Sequence, residues 1–174
     1  SFEVFADDEA NMISQGFKIS EWGKNVYVKV PVTNSRGVFT GRVINKLNNR
    51  KIKLNITAVY TAKQTKKILK KINKKTKVII SIFAGRMSDV GKDPISEFKN
   101  SIKLAKKYKN VEILWASTRE PYNFLQAQQL KCQIITVPPA IIEKIEKFGK
   151  SFQELTIDTV KGFLKDSNKS KFKI

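Results

Sequence analysis

The sequence predicts an α/β protein built on a parallel sheet, and three observations carry that prediction. Strand-like runs recur at SFEVFA (1–6), VYVKVP (26–31), KLNITAVY (53–60), KVIISIF (77–83), VEILWAS (111–117) and QIITVPP (133–139). Segments with helical periodicity separate them, and each strand-plus-helix unit spans roughly 25 to 35 residues, the length of a βα unit. The strands are also apolar on alternate and adjacent positions alike, as expected where helices cover both faces of a parallel sheet.

Each element has a local reason. In VYVKVP the valines at every second position suit a pleated surface, and Lys29 leaves the sheet on the other face with Tyr27. Ile68, Leu69 and Ile72 form one apolar helical stripe. Ile95, Phe98, Ile102 and Ala105 form another, behind the cap-and-proline pair Asp93-Pro94. Phe124, Leu125 and Leu130 follow Pro121, and Ile141, Ile142 and Ile145 follow Pro138-Pro139. FQELTIDTVKGFLKD (152–166) reads as a last amphipathic helix, leaving 167–174 as a frayed basic tail behind a domain of residues 1–166. A doubly wound sheet should carry a glycine-rich turn after its first strand; glycines number only eight and none sits there. A (β/α)₈ TIM barrel fits better, although six strands are found and a barrel needs eight.

Composition removes several chemistries. There is no histidine, so histidine triads, histidine metal sites and histidine bases are out. A lone cysteine, Cys132, allows no internal disulfide and no cysteine metal cluster, and a reducing cytoplasm is the default. Neither a cofactor nor a metal is expected. No apolar run reaches the roughly 18–20 residues of a membrane span, and the acidic start SFEVFADDEA lacks the form of a signal peptide. The net charge of +19 invites a nucleic-acid reading. Yet the excess is almost all lysine on expected helix surfaces, arginine appears only at 36, 42, 50, 86 and 119, and aromatics do not interleave with the lysines. A generic basic surface is the better reading, and nucleic acid is not the expected partner.

In a parallel barrel the functional groups stand at the carboxyl ends of the strands. Alternation puts Glu3, Lys29, Asn55, Thr57, Ser81, Phe83, Ser117 and Arg119 on one face near that end, with Arg86 just past a strand in FAGRMSDVG. Singly these residues have bland readings: solvated edges, small packing residues, or arginines paired with Asp89 or Glu120. Together they make a chemical set. A lysine among apolar neighbours is desolvated, which favours the free amine, and a free amine can attack a carbonyl to form a Schiff base. Arginines after later strands suit a phosphate. A glutamate and a threonine can hold a proton-carrying water, and asparagine and serine can bind sugar hydroxyls. The set points to a Schiff-base lyase or transferase acting on phosphorylated sugars.

These segments also resemble a known family. NVYVKVPVT resembles the lysine strand of the transaldolases and fructose-6-phosphate aldolases, and LNITAVYTAKQ the next strand with its Asn-x-Thr signature. SIFAGRMSDVG is similar to the family's Ser-x-Phe-x-Gly-Arg segment, ILWASTRE to its Ala-Ser-x-Arg strand, IITVPPAIIEKI to its last strand and helix, and SFEVFADD to its third strand. The resemblance runs from residue 1 to about 166 and implies roles. Lys29 would be the Schiff-base lysine, and Glu3 and Thr57 would position the catalytic water. Asn55 would bind substrate, Ser81 a sugar hydroxyl, and Arg86, Ser117 and Arg119 the phosphate. Glu3 and Phe83 match the transaldolase subgroup, where the aldolases tend to have Gln and Tyr; Phe83 is thereby counted with the substrate-binding residues. The implied reaction moves a dihydroxyacetone unit from a ketose phosphate, such as sedoheptulose 7-phosphate or fructose 6-phosphate, to an aldose phosphate, within pentose phosphate carbohydrate metabolism.

The resemblance also sets limits. The family begins with two further βα units, which supply an acid/base Asp and an Asn; the sequence starts at the third strand, and is read here as the last six units of an eight-unit barrel. Activity of the chain without those units is in doubt on that reading. The family implies a homo-oligomer for the full-length form. The alternatives are a fructose-6-phosphate aldolase-like lyase, marked by release of free dihydroxyacetone, and a catalytically dead basic binding protein, marked by indifference to Lys29→Ala.

Overall fold

Valine, isoleucine and leucine at every second position build one row of side chains that is closed to water. In the computed structural model, which describes residues 1–171, six strands form a single sheet: β1 (Phe2–Glu3), β2 (Val28–Pro31), β3 (Leu54–Val59), β4 (Val78–Phe83), β5 (Val111–Ala116) and β6 (Ile134–Ile135). Every neighbouring pair is parallel and the spatial order is the chain order, β1 to β6. A doubly wound sheet reverses its strand order at a switch point; this one does not, and its order is consistent with part of a barrel.

Between the strands lie α1 (Glu9–Ser20), α2 (Gly41–Asn49), α3 (Ala62–Leu69), α4 (Ala84–Ser88), α5 (Ile95–Ala105) and α6 (Tyr122–Gln129). One sheet face packs on them. Val28, Val30, Leu54, Ile56, Val59, Val78, Ile80, Ile82 and Trp115 are all fully buried there. Phe98 of α5 stacks on Trp115 with ring centroids 4.5 Å apart, and Thr65 of α3 shares a buried 2.9 Å hydrogen bond with Ser101 of α5. The N-cap position of α5 is Pro94 rather than the expected Asp93. Asp93 lies one residue ahead of the cap, and its Oδ1 accepts from the Ile95 N–H at 2.9 Å.

The structure adjusts several expectations. The outer strands β1 and β6 are two residues long, although the Val4 and Thr136 N–H groups still bond the neighbouring strands at Lys29 O and Trp115 O. The apolar patterns of SFEVFA and QIITVPP extend further than their ladders. α3 stops at Leu69, so Ile72 of the expected stripe lies beyond the helix. In α6 the buried residues are Asn123 and Ala127, while Phe124 and Leu125 are only half-buried. Asn123 is buried because its Oδ1 accepts from the Arg119 and Glu120 N–H groups and closes the turn that precedes the helix.

The chain divides into two compact units, Ser1–Pro138 and Pro139–Ile174. The second contains α7 (Pro139–Ile145) and α8 (Phe152–Ser170). α8 opens with a capping box, Ser151 with Glu154, and an ion pair between Lys150 and Asp158. Its Phe152, Phe163 and Leu164 are exposed. The helix runs to Ser170, into the segment expected as tail; the last three residues of that tail lie outside the described residues. Among the described residues no helix is long and apolar enough to cross a membrane.

Candidate active site

Opposite the helix-packed face the same strands turn polar. Parallel register aligns Glu3 of β1 with Lys29 of β2, and Lys29 with Asn55 of β3. Residues paired in this way project from the same face, so three candidate functional side chains stand side by side. The Lys29 Nζ lies 3.7 Å from Glu3 Oε2, and the two side chains are 32% and 42% exposed. The full desolvation that the apolar neighbours suggest is therefore not reached: those neighbours, Val28 and Val30, face the helices, and Lys29 faces a carboxylate. Lys29 is also the second of four strand residues, with Pro31 closing the strand.

Asn55, Thr57 and Ser81 are buried at 6%, 4% and 3% exposure. The Ser81 hydroxyl donates to Asn55 Oδ1 at 2.7 Å, and Asn55 Nδ2 donates to the Ser1 hydroxyl at 3.1 Å. The Asn55 amide thus sits between two hydroxyls beside the lysine. Thr57 pairs in register with Pro31, and its hydroxyl makes no hydrogen bond to another described residue. Just after it, Ala58 takes the left-handed conformation at φ 56°, and the ladder slips between Ile56 and Val59. This bulge adds one residue. It lets Thr57 keep the polar face while Val59 returns to the fully buried row with Ile56.

Beyond the strands come the cations. Phe83 ends β4 and packs between the Tyr60 ring, at 6.0 Å, and the Arg86 guanidinium, 5.6 Å from the Phe83 centroid. Arg86 is exposed on α4 and has no carboxylate within 4.0 Å among the described residues. Ser117 and Arg119 lie past the end of β5, so strand alternation does not place them. A left-handed turn at Ser117, φ 65°, does. Arg119 makes a forked ion pair with Asp89, its Nη2 2.7 Å from Oδ2 and its Nε 3.1 Å from both oxygens. The hydrogen bonds from Arg119 hold the Asp89 carboxyl below the usual carboxylate range, so it is ionised at neutral pH.

Two residues outside the set of candidate site residues shape this end. Asp89 is one. Gly85 is the other: a Cβ there would stand 1.7 Å from the Ser117 carbonyl oxygen and 2.7 Å from Arg119 Cγ. Only a glycine lets the start of α4 lie directly against the turn after β5, which brings the bases of Arg86 and Arg119 together. The available signal was the glycine beside the arginine in FAGR, but close approach of two backbones leaves no mark on periodicity.

The family model described as Transaldolase/Fructose-6-phosphate aldolase matches residues 1–174. A protein named probable transaldolase from Nitrosopumilus maritimus (strain SCM1) is 30% identical over 173 residues, covering 98% of this chain and 72% of the relative. Another of that name, from Sulfurihydrogenibium sp. (strain YO3AOP1), is 32% identical over 169 residues, covering 95% and 71%. A third, from Thermoanaerobacter sp. (strain X514), is 29% identical over 175 residues, covering 100% and 75%. With lysine, amide and hydroxyls on one sheet face and a match along the whole sequence, the chain belongs to the transaldolase/fructose-6-phosphate aldolase family.

Proposed function

We propose that the protein is a Schiff-base transaldolase whose nucleophile is Lys29, carried on the parallel strands of a partial (β/α)₈ barrel. The observation that carries the reading is the aligned row Glu3–Lys29–Asn55, with a carboxylate 3.7 Å from the ammonium and a hydrogen-bonded amide on the other side. The Lys29 amine adds to the ketose carbonyl and water leaves, giving an imine. As the hydroxyl proton on the β carbon passes to the water beside Glu3, the bond between the α and β carbons breaks and its electron pair flows into the protonated imine. The aldose departs, and a three-carbon enamine stays on the lysine. Attack of the enamine on the aldehyde carbon of a second aldose phosphate forms the new bond, and water then releases the product ketose.

Glu3 and the Thr57 hydroxyl hold the water that moves protons in imine formation and hydrolysis. Asn55 and Ser81 bind sugar hydroxyls, Phe83 gives the substrate an apolar wall, and Arg86, Ser117 and Arg119 take the phosphate. The test is reductive trapping. With fructose 6-phosphate and borohydride, the expected product is one adduct, mapped by mass spectrometry to Lys29 and lost in Lys29→Met. A folded protein that forms no adduct, or forms it at another lysine, would sink the assignment. Release of free dihydroxyacetone with no need for an aldose acceptor would turn the reading to the aldolase branch of the family.

A further inference from the structure

We propose that Asp89 is a positioning residue that presets Arg119 for the phosphate of the sugar, so that phosphorylated substrates are selected by a guanidinium already held in place. This rests on the reading of Arg119 as a phosphate ligand, and it goes further by naming what aims that ligand. A guanidinium has two edges that can each make a fork of two hydrogen bonds. Here the side edge, Nε with Nη2, is filled by the Asp89 carboxylate. The end edge keeps Nη1 and the second Nη2 hydrogen, and Nη1 makes no hydrogen bond to another described residue. Fixing one edge fixes the direction of the other.

The carboxylate is itself rooted. Asp89 caps α4, and its backbone N–H donates to Gly85 O at 2.8 Å. The same short helix carries Arg86, so one element holds one arginine directly and the other through Asp89. Gly85 removes the side chain that would push the two connections apart. Two guanidiniums against one carboxylate leave the pair net positive, so an anion is still attracted. The ion pair is about half exposed, 48% and 47% at the two side chains. Such pairs add little to folding stability; orientation, which spares the ordering of a flexible side chain on binding, is the effect left to them.

The test compares donors with and without phosphate in the trapping reaction at Lys29. Asp89→Asn should raise the half-saturating concentration of fructose 6-phosphate about tenfold, the loss expected of one misaligned charged contact. The maximal rate should stay within about twofold, and dihydroxyacetone, which lacks the phosphate, should be trapped as before. Asp89→Glu, which keeps the carboxylate, should recover most of the loss. Inorganic phosphate should compete less well against fructose 6-phosphate in Asp89→Asn than in the parent protein. Equal losses for both donors would mean a merely structural role and overturn the proposal. An unchanged or tighter response to fructose 6-phosphate would overturn it too, since Asp89 would then be idle or a competitor for Arg119. If the parent protein forms no adduct at Lys29, the Schiff-base reading fails separately. Inorganic phosphate followed by calorimetry then decides the present one: weaker binding in Asp89→Asn supports it, equal binding ends it.

Discussion

The two faces of the sheet are made by the same six strands and have opposite jobs. Toward the helices, Val28, Val30, Leu54, Ile56, Val59, Val78, Ile80 and Ile82 are sealed from water. On the other face the positions between them carry Lys29, Asn55, Thr57 and Ser81. Because side chains alternate, a strand can give one row to stability and the other to chemistry, with no compromise at a single position. The faces should therefore respond differently to substitution, and urea unfolding measures that difference on one scale.

The largest loss is expected at the helix-packed face. Phe98 is fully buried and stacked on Trp115 at 4.5 Å. Phe98→Ala removes a whole ring from between the sheet and α5, and should cost about 3–5 kcal/mol. A cost below about 1 kcal/mol would mean that this face is less tightly packed than its burial implies.

Next comes Gly85, where the two regions meet. A methyl group 1.7 Å from the Ser117 carbonyl oxygen cannot be accommodated without moving backbone. Gly85→Ala should cost about 1–3 kcal/mol, the usual range for overpacking. It should also weaken trapping by fructose 6-phosphate more than trapping by dihydroxyacetone, because α4 carries Arg86 and the Asp89 anchor of Arg119. Equal weakening of both donors would show that the close approach serves the fold alone.

How much of this was legible in the sequence follows from the same contrast. Period-two alternation identified all six strands, and it put Lys29, Asn55, Thr57 and Ser81 on one face correctly, because that alternation is a property of each strand alone. It overstated β1 and β6, since apolar residues can pack beyond the last ladder hydrogen bond. Ser117 and Arg119 lie past β5, where a left-handed turn replaces alternation, so their placement depends on one torsion that no pattern encodes. The bulge at Ala58 was invisible for the same reason. Asp89 was read only as one of two possible partners for the arginines, with Glu120; which arginine it holds is decided by a contact between segments 30 residues apart. Sequence periodicity reports what one element needs, and the arginine end of the site is built between elements.

A smaller effect belongs to Ser81 on the polar face. Its hydroxyl is buried and donates to Asn55 Oδ1 at 2.7 Å. Ser81→Ala leaves that oxygen without its donor and should cost about 1 kcal/mol. The amide then loses the contact that fixes its orientation beside Lys29, so adduct formation should fall with both donors, in contrast to Asp89→Asn.

The smallest effect on stability, and the sharpest test of the contrast, is expected at Lys29. Its ammonium pairs with Glu3 at 3.7 Å, but both side chains are substantially exposed, at 32% and 42%. A pair of that kind is worth about 0–1 kcal/mol. Lys29→Met keeps the length of the stem and its packing while removing the charge, so the unfolding free energy in urea should change by less than about 1 kcal/mol in either direction. The adduct with fructose 6-phosphate should vanish completely. A large loss of stability would mean that the lysine is part of the scaffold, and the division of labour between the faces would break at its central residue. Retained stability with no adduct would support the role proposed for Lys29, in a row that the fold can do without and the chemistry cannot.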